Sequence, residues 1–174
     1  CFGHAPAFAA ETIALAAKTG LAGGSIEDAT GEKDRPLDPL DEAVTRVKAA
    51  VEAARAAGTG FVLTARTENF LRGNPDLDDT IRRLKAFEAA GADVLMAPGL
   101  PDLAAVKAVC AAVTKPVNFM VGIKGRSFTV TELEACGVRR ISLATSLWRA
   151  AMSGLINAAR EARAGTFDYV DTSI

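Results

Sequence analysis

The chain has 174 residues, 49% of them hydrophobic and 24% charged, with a formal net charge of -1. That balance suits a chain that buries a sizeable core and excludes a disordered tail. Twenty Lys and Arg offset 21 Asp and Glu with no basic block, which argues against a nucleic-acid binder. No apolar run approaches the roughly 18 residues needed to span a membrane. No charged-then-apolar leader opens the sequence, so a cytoplasmic setting is expected. Cys1, Cys110 and Cys136 are scattered and odd in number, and read as reduced thiols, not as a disulfide framework. The single histidine, His4, leaves no cluster for structural zinc.

In chain order, an Ala-rich helix is predicted from Pro6 to Lys18, with Phe8, Thr12 and Leu15 on one face and Ile13, Ala16 and Ala17 beside it. Gly23 to Asp28 reads as a short strand ending in two carboxylates, and the polar stretch from Ala29 to Pro39 as a loop. Asp38 is placed as the cap of a second helix with Pro39 at its first position and an apolar stripe of Leu40, Val44, Val47, Val51 and Ala54. Phe61 to Arg66 is a buried-type strand, with Thr67, Glu68 and Asn69 at its exit. A helix carrying Ile81, Leu84 and Phe87 stops at Gly91, and Asp93 to Ala97 forms the third strand before Pro98-Gly99. Leu103, Val106, Cys110 and Val113 mark the next helix, and Val117 to Val121 the fourth strand. Thr129 with Glu132 predicts a capping box on a short helix ending at Gly137. Arg140 to Ala144 is the fifth strand, followed by a long helix from about Leu147 to Ala164.

Strict alternation of apolar strands and helices implies a parallel sheet covered by helices. A doubly wound open sheet and a TIM barrel both fit. The open sheet would carry a nucleotide signature, and neither G-x-G-x-x-G after a strand nor a P-loop is present. The fold expected is therefore an α/β TIM (β/α)8 barrel, with residues 1–174 forming one partial domain. Strands 4–8 are present and strands 1–3 are missing, because a complete barrel needs eight units and about 250 residues. The start at Cys1 without a Met agrees with a piece of a longer chain.

In such folds the chemistry gathers at the C-terminal ends of strands. The residues there are Glu27 and Asp28, Arg66 and Glu68, Pro98 and Gly99, Asn118 and Met120, and Thr145 and Ser146. Two acids and an arginine at neighbouring ends would suit a divalent cation beside an anionic substrate. They would equally suit a purely structural Glu–Arg pair at the rim.

Several motifs in their order carry a resemblance. They are Gly24-Ser25-Ile26-Glu27-Asp28, Ala65-Arg66-Thr67-Glu68, Pro116-Val117-Asn118-Phe119-Met120, Gly137-Val138-Arg139-Arg140-Ile141-Ser142 and Gly165-Thr166-Phe167-Asp168-Tyr169. With them the chain resembles the isocitrate lyase/phosphoenolpyruvate mutase superfamily, in its phosphonomutase-like branch. The resemblance implies a cytoplasmic Mg2+-dependent barrel enzyme, Mn2+ being able to replace the magnesium. Such an enzyme makes or breaks a C–C or P–C bond of a small α-keto acid or its phosphonate analogue through an enolate. It implies Glu27 as a metal residue acting through water, with further metal acids upstream of Cys1. It implies Arg66 as the catalytic and substrate-binding grip on the anion, Glu68 as its brace, and Asn118 as a pocket residue. A homotetramer or homodimer through the C-terminal helix is implied as well, with neither nucleic acid nor membrane as partner. An oxaloacetate-type hydrolase or decarboxylase on the same scaffold, and a catalytically silent metabolite-binding barrel, are the alternatives.

The sequence also departs from the family pattern. Where the lyases carry a Cys-Gly-His loop after the first of these strands, Gly31-Glu32-Lys33 is followed by Asp34-Arg35-Pro36-Leu37. Pro98-Gly99 stands where the lyases have a Glu. Cys110 and Cys136 read as packing residues, His4 as a surface or capping residue near the mouth, and Lys124 to Ser127 as a solvated loop with a phosphate site as the alternative. Trp148, Met152, Leu155 and Ile156 give the last helix a bulky apolar face suited to packing or to a neighbouring subunit.

Overall fold

A computed structural model describes residues 3–172, so the expectations for Cys1 and Phe2 lie outside the described residues. The chain divides into two compact units, Cys1–Ser142 and Leu143–Ile174. The first holds five parallel strands in sequential order: β1 (Gly23–Glu27), β2 (Val62–Arg66), β3 (Val94–Met96), β4 (Val117–Met120) and β5 (Arg140–Ser142). The helices α1 (Pro6–Lys18), α2 (Leu40–Ala56), α3 (Leu77–Ala89), α4 (Leu103–Ala112) and α5 (Val130–Ala135) alternate with them. Sequential parallel neighbours joined by helices are what a barrel wall requires, whereas a doubly wound sheet reverses its strand order.

The wall is curled. The Arg140 Nη1 of β5 donates to Thr64 Oγ1 of β2 at 3.2 Å. Strands three apart in a flat sheet would lie about 14 Å apart, beyond an arginine's reach. The sheet is thus a half-barrel. Its outward face, which carries Ile26, Leu63, Ala65, Leu95 and Phe119, packs with the helices into the hydrophobic core. Alternation places Ser25, Glu27, Thr64, Arg66, Asn118, Arg140 and Ser142 on the opposite, concave face.

Local rules explain most element ends. Pro6 opens α1, Asp76 caps α3 by accepting from Asp79 N–H, and Thr129 and Glu132 close the predicted capping box on α5. One expectation needs correction. Asp38 does not cap α2; Pro39 takes the N-cap position, and the Asp38 carboxylate is buried against Arg46. On α1 the core-facing residues are Ala9, Ile13 and Ala17, while Phe8 and Leu15 are exposed. Small side chains on that face let α1 lie close against α2, which also presents alanines.

The second unit contains α6 (Ser146–Ala164) and α7 (Tyr169–Thr172). No residue of α6 is buried, and Leu147, Trp148, Leu155 and Ile156 are exposed along it. Gly165, at φ 85°, ends α6 in a left-handed cap. Among the described residues, no helix is long and apolar enough to cross a membrane.

Candidate active site

The parallel register sets Glu27 directly beside Arg66 at the C-terminal ends of β1 and β2. Arg66 Nε donates to Glu68 Oε1 and lies 3.5 Å from Glu27 Oε2. A residue absent from the sequence expectations, Arg72, closes a ring. Its Nε is 3.5 Å from Glu68 Oε2 and its Nη2 3.8 Å from Glu27 Oε1. Glu68 is 1% exposed at its side chain, whereas Glu27 is 39% exposed. The buried carboxylate therefore holds two guanidinium groups while the other carboxylate faces solvent. Glu27 lines a cavity of about 240 Å3 together with Gly3, His4, Ala29, Thr30, Gly31, Arg46 and Arg72. His4 thus reaches the mouth of the site as an exposed residue.

Asp28, the second acid of the motif, leaves the site. Its side chain is buried and accepts from the Glu68 N–H at 2.9 Å, Thr67 Oγ1 at 2.8 Å and Arg83 Nη1 at 3.1 Å. Burial pushes its carboxyl pKa above the ordinary value, and those three donors only partly offset the effect. Arg83 also binds Asp79 Oδ2 at 2.9 Å and the Asp38 carbonyl at 3.0 Å. Asn69 is fully buried, sets its Oδ1 against the Thr67 hydroxyl, whose one proton it shares with Asp28, and donates to Asp79 at 2.7 Å. This polar network fixes the Thr67–Asn69 turn, and with it Glu68. Arg46, 4% exposed, joins Asp38 to the Glu27 carbonyl, which it reaches at 3.1 Å.

Sequence reasoning missed Arg46 and Arg83. The available signal was position: Arg46 and Arg83 sit in the buried stripes Ala43–Val47–Ala50 and Thr80–Leu84–Phe87. A charged residue in such a stripe has a buried partner.

Asn118 lies on the concave face but deeper than a mouth residue, 2% exposed. Its Nδ2 donates to Ser142 Oγ at 3.1 Å and lies 3.2 Å from Met96 Sδ, while its Oδ1 has no partner among the described residues. The polar face of β4 and β5 is thus anchored by an amide with one acceptor to spare. Ser142 was not anticipated as its partner. The Lys124–Ser127 segment is tied down internally: Ser127 Oγ accepts from Gly122 N–H at 2.9 Å, and Arg126 Nη1 donates to the Gly99 carbonyl at 2.9 Å. That engagement favours the loop reading over a phosphate site. Gly99 needs its glycine, since φ is 85° and a Cβ would come within 2.8 Å of Leu71. Thr145 and Ser146 belong to the second unit, at the start of α6.

Cys110 and Cys136 pack against the core, half-buried. Burial first, and the neighbouring Cys136 second, push the Cys110 thiol up to about 11 from 9.0. Its thiolate fraction at neutral pH is therefore roughly a hundredfold below that of a free thiol. Iodoacetamide labelling of the folded protein should proceed at Cys110 only after denaturation, and fast labelling at pH 7.5 would contradict the packing role.

The sequence profile described as phosphoenolpyruvate phosphomutase matches residues 1–163. The chain belongs to that family. A crystal structure of a protein from Burkholderia cenocepacia J2315, provisionally named a lyase/mutase, superposes with a TM-score of 0.97 at 50% identity, over 99% of this chain and 63% of that one. A phosphonopyruvate hydrolase solved with oxalate and Mg2+ superposes with a TM-score of 0.81 at 26% identity, over 99% of this chain and 62% of that one. Among curated relatives, the oxaloacetate decarboxylase of Marinomonas sp. (strain MWYL1) is 29% identical over 93% of this chain and 58% of its own length. The 2-methylisocitrate lyase of Escherichia coli (strain K12) is 31% identical over 86% of this chain and 52% of its own. The chain therefore spans little more than half the length of these curated relatives.

Membership of the phosphoenolpyruvate phosphomutase family raises the question of Mg2+. Among the described residues, no group of three or more His, Cys, Asp or Glu side chains could hold a metal ion. Glu68 is committed to two arginines and Asp28 to Arg83. Among the described residues, Glu27 alone presents a carboxylate to the cavity. Mg2+ typically keeps several waters and takes one or two carboxylates, so this donor set fits a contact made through water, not a protein cage.

Proposed function

We propose that these residues form the C-terminal part of a Mg2+-dependent (β/α)8 enzyme, with β1–β5 as barrel strands 4–8. It makes or breaks a C–C or P–C bond of a small α-keto acid or its phosphonate analogue through an enolate. The observation that carries this reading is the Glu27–Arg66–Glu68 arrangement at adjacent strand ends, inside a family whose named members act on such substrates. Bound Mg2+ would supply fixed positive charge where the enolate charge develops.

The chain's own residues have distinct parts in that reading. Glu27 would hold the metal through water by its partly exposed carboxylate. Arg66 has its Nε held by Glu68, which aims the remaining N–H donors at the substrate's carboxylate or phosphonate. Asn118 lines the inner wall, and its unpaired Oδ1 is available to a substrate hydroxyl or to water. In the decarboxylation of oxaloacetate, the bond between the carboxylate carbon and C3 breaks. Its electron pair moves onto the keto oxygen as CO2 departs, and C3 later takes a proton. The test is turnover of oxaloacetate and phosphonopyruvate by the full-length protein with and without Mg2+. Absence of metal-dependent turnover of any α-keto acid would favour the silent barrel.

Oxaloacetate decarboxylase or hydrolase chemistry is favoured over lyase chemistry by the loop after β1. That loop closes on itself through the Ala29–Leu37 bridge, and Arg35 lies 3.7 Å from both Glu32 and Glu42 at the surface. Asp34 and Arg35 are poor substitutes for a thiol proton donor opposite a leaving fragment. The full-length enzyme is therefore expected not to cleave isocitrate or 2-methylisocitrate. Rapid glyoxylate or pyruvate release from them would show that another acid has taken over.

The partner proposed for α6 is a second copy of the protein, giving a homodimer or homotetramer. Its unburied apolar residues Leu147, Trp148, Leu155 and Ile156 support this. Light scattering on the full-length protein and on Trp148→Asp tests it, with dissociation expected only in the variant.

A further inference from the structure

We propose that Arg72 is a second anion-binding arm of the site and that it selects ligands carrying two negative charges. The inference rests on the α-keto-acid reading above. The base of the arm is fixed. Arg72 follows the one-turn 3-10 segment Asn69–Leu71, and its N–H donates to the carbonyls of Glu68 at 3.0 Å and Asn69 at 3.3 Å. Asn69 is itself fully buried in the Asp28–Asp79 network. The tip of the arm is loosely held. Its side chain is 42% exposed, and its approaches to Glu68 and Glu27, at 3.5 and 3.8 Å, are charge contacts at or beyond the limit of hydrogen bonding. Arg66 differs, because its Nε is hydrogen-bonded to Glu68 and its side chain is 20% exposed. A guanidinium with uncommitted donors therefore lines the same cavity as the Glu27 carboxylate.

Within the ring, two guanidinium groups face two carboxylates and cancel them. A divalent cation drawn to Glu27 through water competes with Arg66 and Arg72 for that carboxylate. Glu68, buried and bonded to Arg66, stays with that arginine. Arg66 and Arg72, drawn less strongly to Glu27, then present two guanidinium groups to the same cavity, and a ligand with two anionic groups pairs with both. Arg66 takes one anionic group by its fork, and the more mobile Arg72 swings onto the second.

The experiment compares oxalate with oxamate, which has nearly the same shape but one charge fewer. Both are titrated calorimetrically into the full-length, Mg2+-loaded protein and its Arg72→Gln and Arg72→Lys variants, so the readout does not depend on turnover. Arg72→Gln should weaken oxalate about tenfold or more and oxamate by less than about twofold. Arg72→Lys should fall between, because it retains the charge and loses the fork. Mg2+ affinity in Arg72→Gln should be unchanged or tighter, since a competitor for Glu27 has gone. Equal weakening of both probes, or a fall in Mg2+ affinity that accompanies a lower Tm, would overturn the assignment and make Arg72 a structural brace of Glu68. If the wild-type protein bound neither probe, the α-keto-acid reading would fall and this one with it. An unchanged oxalate-to-oxamate ratio in a variant of a wild-type protein that binds both would remove only the role of Arg72.

Discussion

Arg66→Lys in the full-length, Mg2+-loaded protein should lower turnover by tens to hundreds of fold while leaving the fold intact. Arg66 ends β2 with its Nε bonded to Glu68, which leaves its Nη donors for an anion. A bidentate charge-assisted pair in a partly dry mouth contributes roughly 2–4 kcal/mol to transition-state stabilisation. Lysine keeps the charge, but it cannot bond Glu68 and both oxygens of a carboxylate in one plane. Glu27→Gln should act differently. Glu27 is partly exposed and its ion pairs are 3.5 and 3.8 Å long, so losing them should cost less than about 1 kcal/mol of stability. The amide can still orient water but brings no charge to the cation, so Mg2+ affinity should drop clearly. Were Glu27 and Arg66 only a structural pair, both substitutions would lower Tm alike and leave Mg2+ binding alone. Calorimetric Mg2+ titration and thermal unfolding of both variants separate the two outcomes.

What could be read in the sequence was whatever depends on short-range pattern. Apolar runs such as Phe61–Ala65 located strands, and Thr129 with Glu132 located a cap, because both rules act within a few residues. Spacing brought Glu27 and Arg66 to neighbouring strand ends but left open whether they form a site or a rim pair, and only the family resemblance gave them roles. Side-chain direction was not legible. Glu27 ends β1 and Asp28 follows just beyond it, where strand alternation no longer applies, and the two side chains part, one to the cavity and one to a buried arginine. The partner that decides Asp28 is Arg83, 55 positions away, and no local rule reaches that far. Asp38 shows the same competition. Asp-Pro is a sound capping signal, but an ion pair with Arg46 outweighs a single cap bond. Arg72 follows an irregular turn with no periodicity at all, so its return to Glu27 emerges only from the folded backbone.

The largest stability effect should come from Arg83→Met. Arg83 is the only cation paired with Asp28 among the described residues, and both side chains are under a tenth exposed. Removing one partner of a buried pair strands the other charge and typically costs about 3–5 kcal/mol. The Thr67 and Glu68 donors to Asp28 remain, so the lower end of that range applies. The deficit should depend on pH in a defined sense. Burial already raises the folded carboxyl of Asp28 above 3.8, and loss of Arg83 removes one of the influences holding it down. A carboxyl whose folded pKa lies above its unfolded value binds its proton more tightly when folded. Its contribution therefore favours folding at low pH and diminishes as pH rises from the unfolded value through the folded one. Protonated Asp28 needs no cation, so the gap between Arg83→Met and wild type should narrow as pH is lowered from 7 towards 4.5. Asp79 works in the opposite direction at lower pH. Burial would raise its carboxyl, but bonds from Arg82, Arg83 and Asn69 and the charge of Arg83 outweigh that and hold it at about 2. Its stabilisation is complete above 3.8 and lost as pH falls towards 2, below the window in which Asp28 is read. Denaturant unfolding of both proteins from pH 4.5 to 7.5 gives the comparison. A deficit that is constant over that range would mean that Arg83 acts by packing and its bonds to Asp79 and the Asp38 carbonyl, and that Asp28 does not depend on its charge.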